Sequence, residues 1–120
     1  MNVIFRIQDA DGRGPWKPGF SESWVEDRTE REYAELPPWM VEFGPVHRLA
    51  TKGYAIGCGC RTQEQLRNWI RRSEYLKLKE FGYSSVQLLA SRILGESEIQ
   101  CVFERPEPLR VGATEFDLYG

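Results

Sequence analysis

The run Gly53-Tyr54-Ala55-Ile56-Gly57-Cys58-Gly59-Cys60, followed at once by Thr62-Gln63-Glu64-Gln65, constrains this chain more than any other stretch. Glycines inside an apolar segment weaken a strand unless the backbone must bend or approach something closely, so the run reads as a strand ending in a tight passage. Thr62-x-x-Gln65 has the form of a capping box, with Thr62 as N-cap and Gln65 three residues on. Leu66, Trp69 and Ile70 then recur at helical spacing. A second helix starts near Ser73, carries Leu76, Leu78 and Phe81, and stops at Gly82, the left-handed position past a helix end, with Tyr83 packing back on Leu78.

Strand signals flank this helix pair. Val3, Phe5 and Ile7 alternate with Ile4, Arg6 and Gln8, and Asp9 to Pro15 is rich in turn formers. Ser85 to Ser91 reads as another strand. A short connection containing Gly95 leads to Glu98–Glu104, where Glu98 and Gln100 share one face and Ile99, Cys101 and Phe103 the other, and an antiparallel pair is expected from these two segments. Pro106 and Pro108 end that strand, leaving Leu109 to Tyr119 as a tail or edge strand. Residues 21–45 have poor periodicity, with a short helix around Glu30–Leu36 stopped before Pro37-Pro38.

The expected fold is α+β, one domain over residues 1–120, with a twisted, mainly antiparallel sheet and a central helix pair at residues 62–81. Its core should hold Val3, Phe5, Ile7, Leu66, Trp69, Ile70, Leu76, Phe81, Val86, Leu88, Ile99, Cys101 and Phe103.

A chain of 120 residues that is 41% apolar, with four Trp, five Tyr and six Phe, has the material for a packed core and is not disordered by composition. A net charge of −2 gives no global signal for nucleic acid or a phospholipid surface. The charge is nonetheless uneven: seven acidic residues against two basic lie between Phe20 and Pro45, and eight basic against three acidic between Arg48 and Glu80. Three cysteines, an odd number, and a first segment without a basic-then-apolar leader point to a reducing cytoplasm. No apolar run approaches the roughly 18 residues of a membrane span.

Four groups of residues carry chemistry. Glu98 and Gln100 on a strand face could serve a glycosidic bond, a carboxylate there steadying developing positive charge; the plainer reading is the polar outer face of a hairpin. Arg6, alone on an apolar face, suits a phosphate or ribose, or else an ion pair with Glu98 or Glu104. Gly12-Arg13-Gly14-Pro15-Trp16 could bring backbone amides to a phosphate while Trp16 stacks on a flat ring, or be an ordinary turn. Arg61, Arg67, Arg71, Arg72, Lys77 and Lys79, around Trp69 and Tyr75, could track a phosphate backbone or an acidic protein surface, or form a solvated helix face, which the acidic segment could partner within the fold. Cys58, Cys60, Cys101 and His47 lack the two-to-four-residue ligand spacing of zinc sites, so no metal is expected, and no motif joins a thiol nucleophile to His47.

Taken in order, the Arg of Ile4-Phe5-Arg6-Ile7, the glycine-rich strand leading into a capped helix, and Glu96-Ser97-Glu98-Ile99-Gln100-Cys101-Val102-Phe103 resemble the ADP-ribosyltransferase-like fold. Members of that family split NAD at the nicotinamide bond and transfer ADP-ribose to a protein or nucleic acid. The resemblance implies NAD as cofactor, with Arg6 gripping its phosphates or ribose and Glu98 binding the nicotinamide ribose. It also implies that Glu96 or Gln100 orients the acceptor and that Thr62 stands near the family's helix-start hydroxyls. Arg13 and Trp16 complete the expected cofactor site. Cys58-Gly59-Cys60-Arg61-Thr62 stands where the family carries a Ser-Thr-Ser pattern. The outline also resembles phage and prophage accessory proteins, which implies another class: a stoichiometric, anti-CRISPR-like inhibitor that binds a host defence or regulatory protein.

Overall fold

The computed structural model describes residues 2–120. These residues hold six strands, which form two antiparallel three-stranded sheets, and four short α-helices. The first sheet has β3 (Ser84–Ala90) between β1 (Asn2–Gln8) and β6 (Thr114–Phe116). In the second, β5 (Cys101–Arg105) lies between β2 (Ala55–Gly59) and β4 (Arg92–Glu96). The sheets join where Phe5 and Cys60 exchange both backbone hydrogen bonds, each 2.8 Å.

The expected single sheet is therefore two, and the expected pairing of the Ser85–Ser91 and Glu98–Glu104 segments does not occur. The chain between them is itself a strand, β4, and takes the place beside β5. A β-bulge between Ile93 and Gly95 bends it, and the Phe43 ring would lie 3.2 Å from a Cβ at Gly95. The strand alternation expected at Glu98 yields to Ser97, whose hydroxyl accepts the Ile99 and Gln100 N–H groups at 3.2 and 3.4 Å. The Ser97 N–H closes the turn on the Gln100 carbonyl at 2.9 Å. Glu98 and Gln100 lie in this hairpin loop, not on a strand.

β1 is buried on both faces. Ile4 shares a core with Val86, Leu88, Ala90, Cys101 and Phe103 between the sheets. Ile7, with Phe5 beside it, packs toward the helices on Trp24, Leu66, Ile70, Tyr75, Leu78 and Leu118. Those helices follow their capping signals. α3 (Gln63–Trp69) starts at the Thr62 box, with the Thr62 hydroxyl accepting the Gln65 N–H at 3.1 Å and Gln65 Oε1 accepting the Thr62 N–H at 3.2 Å. α4 (Arg72–Glu80) ends in a Schellman turn: Tyr83 N–H bonds Leu78 C=O at 2.9 Å, Gly82 N–H bonds Lys79 C=O at 3.1 Å, and Gly82 has φ +87°.

Two expected core residues lie outside it, Leu76 and Phe81 being 55% and 51% exposed. α4 buries Glu74, Tyr75 and Leu78, which turns Leu76 to solvent, and Phe81 lies on the surface against the Phe20 ring at 5.3 Å. Val3, Phe5, Trp69 and Ile99 are half-buried. The irregular segment holds α1 (Glu30–Glu35), which starts at a Thr29-x-x-Glu32 capping box, and α2 (Trp39–Phe43).

Candidate functional site

Beyond the Phe5–Cys60 bridge, β1 and β2 splay apart. Because Cys60 points its N–H and C=O at β1, the same groups of Cys58, two residues back, face that open side too. A groove of about 1120 Å³ lies along the split, and Arg6 forms part of its floor. The Arg6 side chain is buried, with Nη1 donating to the Cys58 carbonyl at 3.1 Å and Nη2 to the Gly12 carbonyl at 3.4 Å. Its Nε has no partner, and among the described residues no carboxylate lies within ion-pair distance. The expected alternative of an ion pair with Glu98 or Glu104 is thus not what the structure has, since the Glu104 carboxylate is taken by Thr51 and Arg92. Burial draws the Arg6 pKa below its ordinary value, opposed by Cys58 and Asp9, and a guanidinium keeps its proton even so.

The Asp9–Trp16 loop makes one wall. Asp9 Oδ1 accepts the Asp11 and Arg13 N–H groups at 3.0 and 2.9 Å, folding the loop back so that Gly12, Arg13 and Gly14 line the groove. Gly12 has φ +85° and a Cβ there would lie 2.9 Å from the Arg110 nitrogen, so both conformation and space require glycine. Trp16, 44% exposed, stands edge-on to buried Trp24 at 4.5 Å, with the Arg28 guanidinium 5.5 Å from its ring. Leu36, Pro38 and Trp39 make the opposite wall.

The structure thus brings Arg6, Arg13, Trp16 and Gln100 to one groove. Glu98 is not among its lining residues; it is exposed in the β4–β5 loop, its carbonyl accepting Gln65 Nε2 at 2.7 Å. Gln100 points its amide elsewhere than expected, to the Pro37 carbonyl and Glu42 Oε1 at 2.8 and 2.9 Å. The Thr62 hydroxyl caps α3 and also lies outside the groove. Cys58 and Trp39 were not singled out in advance for this surface; Gly57 and Gly59 beside Cys58 were the available signal, while the five residues of α2 carry no periodicity to read.

A family model described as Bacteriophage T4 Y00F protein matches residues 1–117. The chain belongs to this phage protein family. No curated protein and no solved structure matches it.

In this Y00F-family chain the basic and acidic stretches meet at Arg71 and at Glu74. Arg71 meets Glu26 and Glu32, and buried Glu74 accepts Arg28 Nη2 at 2.8 and 2.9 Å. Among the described residues no group of three or more His, Cys, Asp or Glu is placed to hold a metal ion, and no helix is long and apolar enough to cross a membrane. All three thiols are free. Burial pushes the Cys101 thiol up to about 12 and Cys60 higher still, while Cys58 is half-buried at the groove.

Proposed function

We propose that the groove of this phage protein binds a dinucleotide of the NAD class and that the protein is ADP-ribosyltransferase-like, modifying a host macromolecule. The observation that carries this is Arg6, a buried cation with an unpartnered Nε and no carboxylate within ion-pair distance, on the floor of a groove walled by glycine backbone and tryptophan. A buried guanidinium without a paired anion is costly, and a phosphate supplies both that charge and the missing acceptor. Arg13 adds charge at the glycine loop, and Trp16 and Trp39 offer flat faces for a ring.

In the reaction, the bond between the nicotinamide nitrogen and the ribose C1′ breaks with its electron pair leaving on neutral nicotinamide. The cationic ribose is then attacked by an acceptor on the host molecule, which loses a proton. Glu98 is the carboxylate this reading assigns to that cation. It is exposed in the β4–β5 loop outside the groove lining, beside Ile99, whose carbonyl accepts the N–H of groove-lining Trp69 at 2.9 Å, so the reading requires the nicotinamide ribose to extend past Trp69 beyond the groove.

Calorimetric titration with NAD tests the binding half: wild type should bind and R6A should not, and a wild-type protein that ignores NAD sinks the proposal. Nicotinamide release in the presence of host lysate tests the other half. E98A should abolish release while leaving binding intact, and binding without release from wild type leaves a dinucleotide-binding protein that transfers nothing.

A second reading, an inhibitor that binds a host protein, draws on Val41 and Leu49, 74% and 63% exposed, with Met40 beside Val41. Here V41E and L49E should abolish recovery of a stoichiometric host partner from lysate while E98A leaves it intact.

A further inference from the structure

We infer that Gln100 is the positioning residue of the groove: its carboxamide fastens the Pro37–Glu42 wall to the second sheet and so sets which ligand fits, a statement that rests on the groove being a ligand site. Helices α1 and α2 bury no residue of their own. Their segment is held by side-chain ties at its ends, with Arg28 and Glu32 reaching α4 residues or the N-cap before them and Phe43 lying on Gly95. Between these points stand Tyr33, Leu36, Pro38 and Trp39, all on the groove.

Pro37-Pro38 has no backbone N–H, and while the Pro38 carbonyl accepts the Val41 and Glu42 N–H groups of α2, the Pro37 carbonyl needs a donor from elsewhere. Gln100 supplies it. Its Nε2 gives one hydrogen to the Pro37 carbonyl at 2.8 Å and one to Glu42 Oε1 at 2.9 Å, bracketing Trp39 from both sides in sequence. Gln100 is 5% exposed and sits one residue before β5, the central strand of its sheet. A glutamate here has no hydrogen to give and sets a second carboxylate against Glu42.

The test combines hydrogen exchange read by mass spectrometry with NAD titration on the full chain. In Q100E, amides of residues 39–43 should exchange roughly tenfold faster at neutral pH while those of β3 and β5 keep their protection. The affinity for NAD should fall by about tenfold as the wall moves. The double variant Q100E/E42Q returns a donor at position 42 but none to the Pro37 carbonyl, and should recover part of both losses. Unchanged exchange at 39–43 in Q100E overturns the positioning role, and faster exchange with unaltered NAD affinity overturns its effect on the ligand. Where Q100E fails to fold, Q100M decides by the same two readouts, having the length without the donor. A wild-type protein that binds no NAD defeats the proposed function, whereas the exchange measurement still judges Gln100 by itself.

Discussion

Gly57 keeps Arg6 in place by having no side chain. A Cβ there would lie 2.5 Å from Arg6 Nη1, 2.9 Å from the Phe103 ring and 3.0 Å from Leu109. Two of those neighbours are packed in the core between the sheets, so the strain cannot be shed by a flexible tip alone. G57A should lower stability by roughly 1–3 kcal/mol in urea unfolding and weaken NAD binding more than a surface alanine does. The cysteines allow a second test at this scale. Native alkylation near pH 8, read by peptide mass spectrometry, should label Cys58 first and leave Cys60 and Cys101 protected until the chain unfolds, because burial holds both of the latter in the thiol form. Bound NAD should slow labelling of Cys58. Equal labelling of all three would mean that the core around Cys101 opens readily.

Between elements, Glu104 of β5 is the chief polar tie of the second sheet. Its carboxylate accepts the Thr51 N–H at 2.6 Å, the Thr51 hydroxyl at 2.9 Å and Arg92 Nε at 2.9 Å, joining the turn before β2 to β5 and β4. Burial alone pushes the carboxyl up, but the Thr51 bonds and the Arg92 charge outweigh it, and its pKa lies below the ordinary 4.5. A lowered folded-state pKa gives stability that is present above 4.5 and is lost as pH falls through the folded value. The urea midpoint of wild type should therefore fall on acidification below that point, and E104Q should show a shallower acid slope with a lower midpoint at neutral pH. The same scale separates what was legible in the sequence from what was not. Thr62, Gln65, Gly82 and Tyr83 act within one helix turn of themselves, so their signals survive folding intact. Glu98 and Gln100 alternate like strand residues, yet one hydroxyl at Ser97 turns them into a loop. The apolar half of that segment, Cys101 and Phe103, still becomes the core because burial is decided by composition more than by register. Of the two neighbours of β5, β2 pairs across 42 to 50 residues of chain, which no local pattern carries, while β4 lies directly before it in sequence and is masked as a connection by its Gly95 bulge. The groove was half legible for the same reason: Arg6, Arg13 and Trp16 lie on one strand and its loop, whereas the opposite wall comes from the connection between α1 and α2 and the first residue of α2.

At the scale of the whole molecule, one buried ion pair clamps the acidic and basic stretches together through the minority charge of each. Arg28, from the acidic stretch, reaches Glu74, from the basic one, and their side chains are only 4% and 0% exposed. Arg28 Nη2 also donates to the Trp69 carbonyl at 2.9 Å, and the Glu74 carboxylate accepts the Glu26 and Arg71 N–H groups at 3.0 and 2.8 Å. The pair therefore holds the groove-lining segment against both central helices, beside a smaller cavity of about 340 Å³ bounded by Arg28, Asn68 and Arg71. Removing one partner strands the other charge in the interior, so E74A should cost about 3–5 kcal/mol in urea unfolding. Replacing both by apolar residues of similar volume, as in R28M/E74L, removes the stranded charge and should return a large part of that loss, although the N–H groups of Glu26 and Arg71 then lack an acceptor. A double variant no more stable than E74A would show that those two backbone groups, rather than Arg28, are what Glu74 chiefly serves.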